Sequence, residues 1–483
     1  MGDRVVPIRG RYEAGFDSDY NQTPPAGGSA DAEIYRAGDR LRQWARYLAK
    51  NAAPVIATLD ARQTKGVGPG LTYQPMVRDR KGKPIKELND AIANQHARWS
   101  ESADVTGELS RQEVERLAWR DWDCAGEMFG RKVYRGRNPQ RVGYQVQLIR
   151  SELVPYGFFE SGTARMGIER DQWGAPTRYA VYPYAPNSDL WRFGLPEFEP
   201  QWIPAREIVH LRRQKETDAT RGITLFHGVI FRVSDIAKYQ ESHRRAARAT
   251  ANLFAGITRG QDYDPENQNP PEVAGSYQHE LDLSDLQVID YLKKGEGLEF
   301  YAPQHPNQNA TEFVNQELRQ FASACRVAFS WIAYVFDRAY AAQRVENVHA
   351  WEMIYEDRAQ FVRDFAKPLL YVEPLKLMMA EGKLPARLLR RADPMTLYDV
   401  RIDGPAMPSI DPEADRKTAE MDQRNGWDSR QGVARRFGKD PRQVDAERDD
   451  DDRLAELTAA KQPAPLPAAE NTEETNDDDN GED

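Results

Sequence analysis

Cysteine is nearly missing from this chain of 483 residues, which holds only Cys124 and Cys325. The two sit far apart with no His or Cys at a ligand spacing, so a disulfide framework and a zinc knuckle are both excluded, as suits a reducing cytoplasm. Long apolar runs are lacking too: the best, Val327 to Phe336, falls well short of the roughly eighteen residues a membrane span needs. Arg4, Arg9 and Arg11 are followed by no apolar core, so no secretion signal is expected. There is no His-Glu-x-x-His, Gly-x-Ser-x-Gly or Cys-x-x-Cys, and the glycines of "GVGPGLT" lack the Gly-Lys-Ser/Thr ending that cradles phosphates. An enzyme or P-loop motor is therefore not expected.

Net charge is scarce outside one segment. Of the chain's formal −10, residues 445 to 483 carry −12, which leaves +2 for residues 1 to 444. A nearly neutral body disfavours tight wrapping of nucleic acid, which needs many phosphate contacts. The acidic tail offers few apolar groups and is expected to be disordered beyond about Leu457.

What is present reads as an α+β protein large enough for two or three subdomains. Residues 1 to 30, ending in "QTPPAGGSA", are expected to form a flexible arm. Leu41, Trp44, Leu48, Ala52 and Ile56 predict one helix from Ala32 to about Leu59, and two more are predicted over Glu87 to Trp99 and Arg111 to Phe129, the last stopping at Gly130. The period then shortens: "YQVQLIRSELVPYG", a hairpin turning at Asp171 to Gly174, and "IPAREIVHLRR" predict strands over residues 143 to 213. A helix from Phe231 to Phe254 follows, then an irregular module with a strand or two over residues 259 to 310. A long helix from Thr311 to Phe336, a polar tip from Asp337 to Arg344, and a second long helix bent at Pro368 and Pro374 complete a paired rod.

The motifs and their order resemble the lambda-type portal proteins of tailed bacteriophages and prophages, over about residues 35 to 454. They are "KGVGPG" at Lys65, "DCAGEMFGR" at Asp123, the hairpin "MGIERDQWGAPTRYAVY", "IPAREIVHL", "RGIT", "LKKGEGLEFYAPQHPN", the helix–loop–helix unit, and "DPEADRKTAEMDQRNGWDSRQGVARRFGKDP". Family members often carry Asn-Tyr-Ser-Ser-x-Arg in the tip. This chain keeps Tyr340 and Arg344 and has Ala341 and Ala342 in place of the serines.

The resemblance implies a portal fold. The wing would hold residues 31–230 and part of 346–410, the stem helices 231–258 and 311–336, the clip 259–310, the channel loop 337–345, the crown 411–456 and the tail 457–483. It implies a closed homo-oligomeric ring, typically a dodecamer, at one capsid vertex, with double-stranded DNA passing through and no cofactor or metal. The implied partners are the major capsid or scaffold protein, the terminase large subunit and a head–tail connector. Asp337, Arg338, Tyr340, Gln343 and Arg344 would be the channel-loop residues that touch DNA.

Competing readings stand beside these. Another head–tail adaptor or scaffold protein is the main alternative. A nuclease holding a metal on Asp121, Asp123 and Glu127 is a remoter one. Trp119 and Trp122 read as core, and His210 as a satisfied structural histidine. His243, Arg244, Arg245 and Arg248 read as a solvated helix face or a subunit salt bridge ahead of a nucleic-acid contact, and Lys293 and Lys294 as part of a turn.

Overall fold

The computed structural model describes residues 29–135, 142–158, 164–183, 199–252, 255–259, 296–300, 308–334, 340–408 and 411–461. It divides into two compact units, Met1–Pro405 and Ala406–Asp483. In the first, α1 (Ala30–Asn51), α2 (Ala53–Gly66), β1 (Thr72–Pro75), α3 (Lys86–Ser100) and α4 (Arg111–Ala125) lead into β2 (Glu127–Tyr134) and β3 (Tyr144–Ile149). Then come β4 (Ala164–Arg165), β5 (Ile168–Arg170), β6 (Pro176–Val181), β7 (Gln201–Pro204) and β8 (Ile208–Arg212). The helix α5 (Ile230–Asn252), the strands β9 (Ala255–Arg259) and β10 (Glu296–Phe300), and the helices α6 (Gln308–Ala324), α7 (Phe329–Ala333) and α8 (Tyr340–Phe361) follow. A π-helical stretch, Val362–Val372, runs into α9 (Glu373–Ala380), and α10 (Ala386–Leu389) and β11 (Val400–Asp403) end the unit. The second unit holds α11 (Pro412–Arg424), α12 (Arg430–Arg436) and α13 (Pro441–Lys461).

All strand pairs between these elements are antiparallel, so the α+β expectation holds. One sheet has the order β3-β2-β8 and another β4-β5-β6-β7, with shorter pairs β1-β11 and β9-β10. The two larger sheets share a core of Phe129, Ile149, Ile168, Tyr179 and Ile203. A larger core gathers α3, α4, the first sheet and the π-helical stretch around Trp119, Trp122, Phe361 and Phe365. A third joins α1, α2, α5, α6 and α7 through Leu48, Leu59, Phe226, Val233, Phe321 and Ile332.

Several predicted boundaries move, each for a local reason. The helix expected over Ala32 to Leu59 is two, because Ala52 is extended and Pro54 has no N–H with which to continue α1. The helix expected to stop at Gly130 stops at Gly126, which has φ +85°. Its N–H donates to Trp122 O, and a Cβ there would lie 2.1 Å from the Ile223 carbonyl carbon. Gly130 is instead inside β2. "IPAREIVHLRR" is two strands in different sheets, β7 and β8, separated by a 3₁₀ turn at Ala205–Glu207. The strand reading of "YQVQLIRSELVPYG" holds to Ile149, where a 3₁₀ turn at Ser151–Leu153 follows. The hairpin at Asp171 to Gly174 is as expected: Asp171 Oδ1 accepts from Trp173 N and Ala175 N, and Gly174 takes φ +82°.

The single helix expected from Thr311 to Phe336 is broken after Ala324, since Arg326 takes a left-handed φ of +59° and Val327 N–H donates back to Ala322 O at 3.1 Å. Where bends are expected, the winding of the helix changes. Pro368 lies within the π-helical stretch and Pro374 in the first turn of α9, where it cannot donate to the Leu370 carbonyl four residues back. His96 supplies that donor, with Nε2–H 2.8 Å from Leu370 O, and Tyr144 Oη–H donates to Leu369 O at 2.8 Å. The tip expected over residues 337–345 is helical from Tyr340 onward. The segment expected to be a helical crown folds as the helices α11 to α13, and the disorder expected beyond about Leu457 gives way to helix through Lys461. Residues 1–28 of the expected arm, residues 260–295 and 301–307 of the expected clip, and the expected tail from residue 462 lie outside the described residues.

Gly126→Ala combines a left-handed backbone with a collision against fixed main chain. It should cost roughly 2–5 kcal/mol, while Gly382→Ala, also at positive φ but in open space, costs about 1 kcal/mol. Urea unfolding of the two variants measures the difference.

Candidate functional site

The paired-rod segment is held from below by a buried ionic cluster. Arg62 of α2 donates to both carboxylate oxygens of Asp123 of α4, at 3.0 and 3.1 Å, and to Asp357 Oδ2 of α8 at 2.5 Å. Arg213, just after β8, also bonds Asp123 and lies 3.4 Å from Asp357. Arg326, at the break between α6 and α7, reaches Asp357 Oδ1 at 3.1 Å and pairs with Glu356. Arg62 and Asp123 are fully buried and Asp357 is 3% exposed. Three guanidinium groups thus face three carboxylates.

Burial alone would raise the Asp357 carboxyl and disfavour the Arg62 cation. The charges of Arg213, Arg62 and Arg326 hold Asp357 below its usual value, while Asp123 and Asp357 hold Arg62 above. Arg62 also donates to Cys325 O (3.4 Å), one of the carbonyls α6 leaves unpaired at its end. One cluster therefore ties α2, α4, the end of β8, α8 and the α6–α7 break. The neighbouring Arg358 donates to the carbonyls of Gly66, Lys65 and Pro405, and burial brings it down to about 10.

Above the cluster, α8 is stitched to α7 by two side chains. Glu346 Oε1 accepts from Phe329 N at 2.6 Å, capping α7, and Asn347 Oδ1 accepts from Trp331 Nε1 at 2.6 Å. Lys65 Nζ lies 4.4 Å from the centre of the Trp331 ring, and burial lowers the Lys65 amine. These contacts set where the chain leaves α7 and re-enters α8.

Of the five predicted channel residues, Asp337 and Arg338 lie outside the described residues. Tyr340 opens α8, Gln343 is half-buried in its first turns, and Arg344 is exposed. The three described members thus share one helix end.

The carboxylates considered for a nuclease do not form a site. Asp121 pairs with Arg46, which also holds Glu152 at 2.8 Å. Asp123 belongs to the buried cluster. Glu127 is gripped by Arg221 and His210 and accepts from Gly222 N at 3.1 Å. Four arginines, Arg46, Arg62, Arg213 and Arg221, have taken the oxygens that a cation would need. His210 is the structural histidine expected, donating Nε2–H to Glu127 at 3.1 Å and stacking on Phe129. Trp119 and Trp122 are fully buried, edge to face, as core. Arg244 and Arg245 are exposed and pair with Glu241 on the same helix, α5. Lys293 and Lys294 lie outside the described residues.

Sequence reasoning missed Arg62, Arg213, Arg326 and Asp357. The signal was faint: Asp357 lies three residues after Ile354 and four before Phe361, on the face of α8 that is buried.

The model of "Phage portal protein, lambda family" matches residues 17–358, well over half of the chain. The chain belongs to the lambda family of phage portal proteins. Within curated proteins it is similar to the "Probable portal protein" of Halomonas phage phiHAP-1, at 25% identity over 435 residues, covering 86% of this chain and 80% of that relative. Among solved structures it is similar to a chain of the neck of a native gene transfer agent (GTA) particle computed with C12 symmetry. The TM-score is 0.40 at 14% identity, covering 86% of this chain and 95% of that one. A chain from the virion of a native gene transfer agent particle scores 0.36 at 14% identity, covering 87% and 96%. Asp123 of the cluster begins the segment "DCAGEMFGR", and Arg221, which begins "RGIT", grips Glu127 of that same segment.

Two measurements test this electrostatic frame. Asp357→Asn leaves Arg62 and Arg213 sharing one buried carboxylate and should cost about 3 kcal/mol in urea unfolding. Burial also keeps His210 and His96 neutral, at about 4 and about 3, below the free value of about 6.5. The unfolded chain then takes up protons that the folded chain refuses. Stability is complete above pH 6.5 and falls as pH drops toward 4, by up to about 1.4 kcal/mol per unit for each histidine. His210→Gln should shallow that decline between pH 6.5 and 4.5.

Proposed function

We propose that the chain is the subunit of a closed ring, with a dodecamer as the expected size, at one vertex of a phage capsid. Double-stranded DNA passes through the ring during packaging and ejection, without sequence-specific contact. The terminase large subunit and a head–tail connector dock on it, and the major capsid or scaffold protein surrounds it. Membership of the lambda portal family carries this reading. Supporting it, a near-neutral body lets duplex slide, because each phosphate contact would release counterions and add grip. In this reading the chain performs no catalysis, and a separate ATPase drives the DNA.

The channel role falls to Arg338, Tyr340, Gln343 and Arg344, repeated around the ring and touching the duplex lightly enough to hinder back-slippage. The stitching of α8 to α7 by Glu346 and Asn347 supports this role, because it holds one end of the tip on a rigid base.

Electron microscopy of the purified full chain should show rings with a central hole, and a population of compact monomers would contradict the proposal. Replacing residues 337–344 by Gly and Ser should shorten the packaged genome while rings still assemble. Full-length packaging in that variant would remove the channel role from these residues.

A further inference from the structure

Among the described residues, three that are not glycine take a left-handed backbone: Met166 at φ +50°, Arg326 at +59° and Tyr334 at +52°. That region is disfavoured for any residue with a Cβ, and for a bulky one it calls for a reason. Met166 has its reason in the core, where it is 1% exposed and clusters with Ile34 and Tyr156. Arg326 has its reason in the ion pairs with Asp357 and Glu356. Tyr334 has none within the chain. It is 76% exposed, and among the described residues its ring stacks on no neighbour and its hydroxyl meets no hydrogen-bond partner.

The backbone at this position has a plain use, since Tyr334 caps α7 and its N–H donates to Ser330 O at 3.2 Å. Glycine or asparagine caps a helix in the same way without the strain. The base beneath the ring is rigid. Phe329, Ser330 and Ile332 of α7 are buried, Glu346 accepts from Phe329 N, Asn347 accepts from the Trp331 indole, and Lys65 covers the Trp331 ring. A short helix pinned from α2 and α8 thus ends in one bulky ring left in solvent. In the sequence that ring stands just before the tip assigned to the channel.

We propose that Tyr334 is a further residue that touches the duplex, its ring resting against the sugar–phosphate backbone at the base of the tip. The inference rests on the portal reading above and adds a contact made from rigid structure beside the tip. A neutral ring displaces no counterions, so it bears on the backbone without the affinity that a Lys or Arg would add. Contacts to sugar and phosphate carry no sequence information, as passage of a whole genome requires. The strain is retained because the residues that would relieve it, glycine and asparagine, would also remove the ring.

The test uses the full-length chain in assembled, DNA-filled heads. Tyr334→Asn keeps the left-handed cap and removes the ring. It should form rings at the parent yield and melt no lower than the parent, yet give heads that hold shorter DNA. Tyr334→Phe, which keeps the ring, should package the parent length. Tyr334→p-benzoylphenylalanine, irradiated in filled heads, should cross-link to DNA. Parent-length DNA in the Asn variant, a lower melt in that variant, a Phe variant that behaves like it, or cross-links to protein alone would each overturn the assignment and leave the portal reading standing. Absence of rings or of packaging with the unsubstituted chain would overturn both.

Discussion

Buried charge is the constraint around which the first unit is organised. Arg62, Asp123, Arg213 and Asp357 sit where a hydrocarbon core would otherwise close, and removing ions from water costs several kcal/mol each before any attraction is gained. Such a cluster is poor as a source of stability, because well-packed apolar side chains often serve better. It is effective at specifying geometry, since the guanidinium forks donate to their carboxylates along few directions. Five segments distant in sequence can satisfy it together only in one arrangement.

Arg326 shows the consequence most directly. A left-handed backbone costs about 1–2 kcal/mol for a residue with a side chain, and glycine is the usual solution. Here an arginine holds that conformation because its guanidinium reaches Asp357 and Glu356 across the corner. The break therefore turns α6 into α7 at a point fixed by α8, and Glu346 and Asn347 then return the favour from α8 to α7. The helix ends that flank the tip inherit their position from the cluster. In the portal reading, that position is what is repeated around the ring.

Periodicity in the sequence made most elements legible, because apolar spacing of three and four or of two follows directly from how a buried face is built. Trp119 and Trp122 were read as core on that basis, and both are fully buried. Boundaries were harder where one residue had two possible meanings. Gly126 and Gly130 both offer a stop, and only the approach of the Ile223 main chain decides between them. The α6–α7 break carried no proline or glycine to announce it. Its cause is a contact with Asp357, 31 residues away, that local patterning does not encode. On α8, Trp351 is buried while Val348, Tyr355 and Ala359, at helical spacing from it, are exposed, since spacing reports which residues share a side and not what covers it. Asp123 drew attention as a metal ligand for the right reason, a carboxylate on a buried helix face. Its partners proved to be arginines from α2 and from the end of β8.

Amide hydrogen exchange in an Arg62→Met variant tests most directly whether the cluster fixes the helix pair. The account predicts faster exchange in α6, α7 and α8 together, with β2, β3 and β8 unchanged. Exchange that stays at the parent level throughout, or that rises in α2 alone, would contradict it.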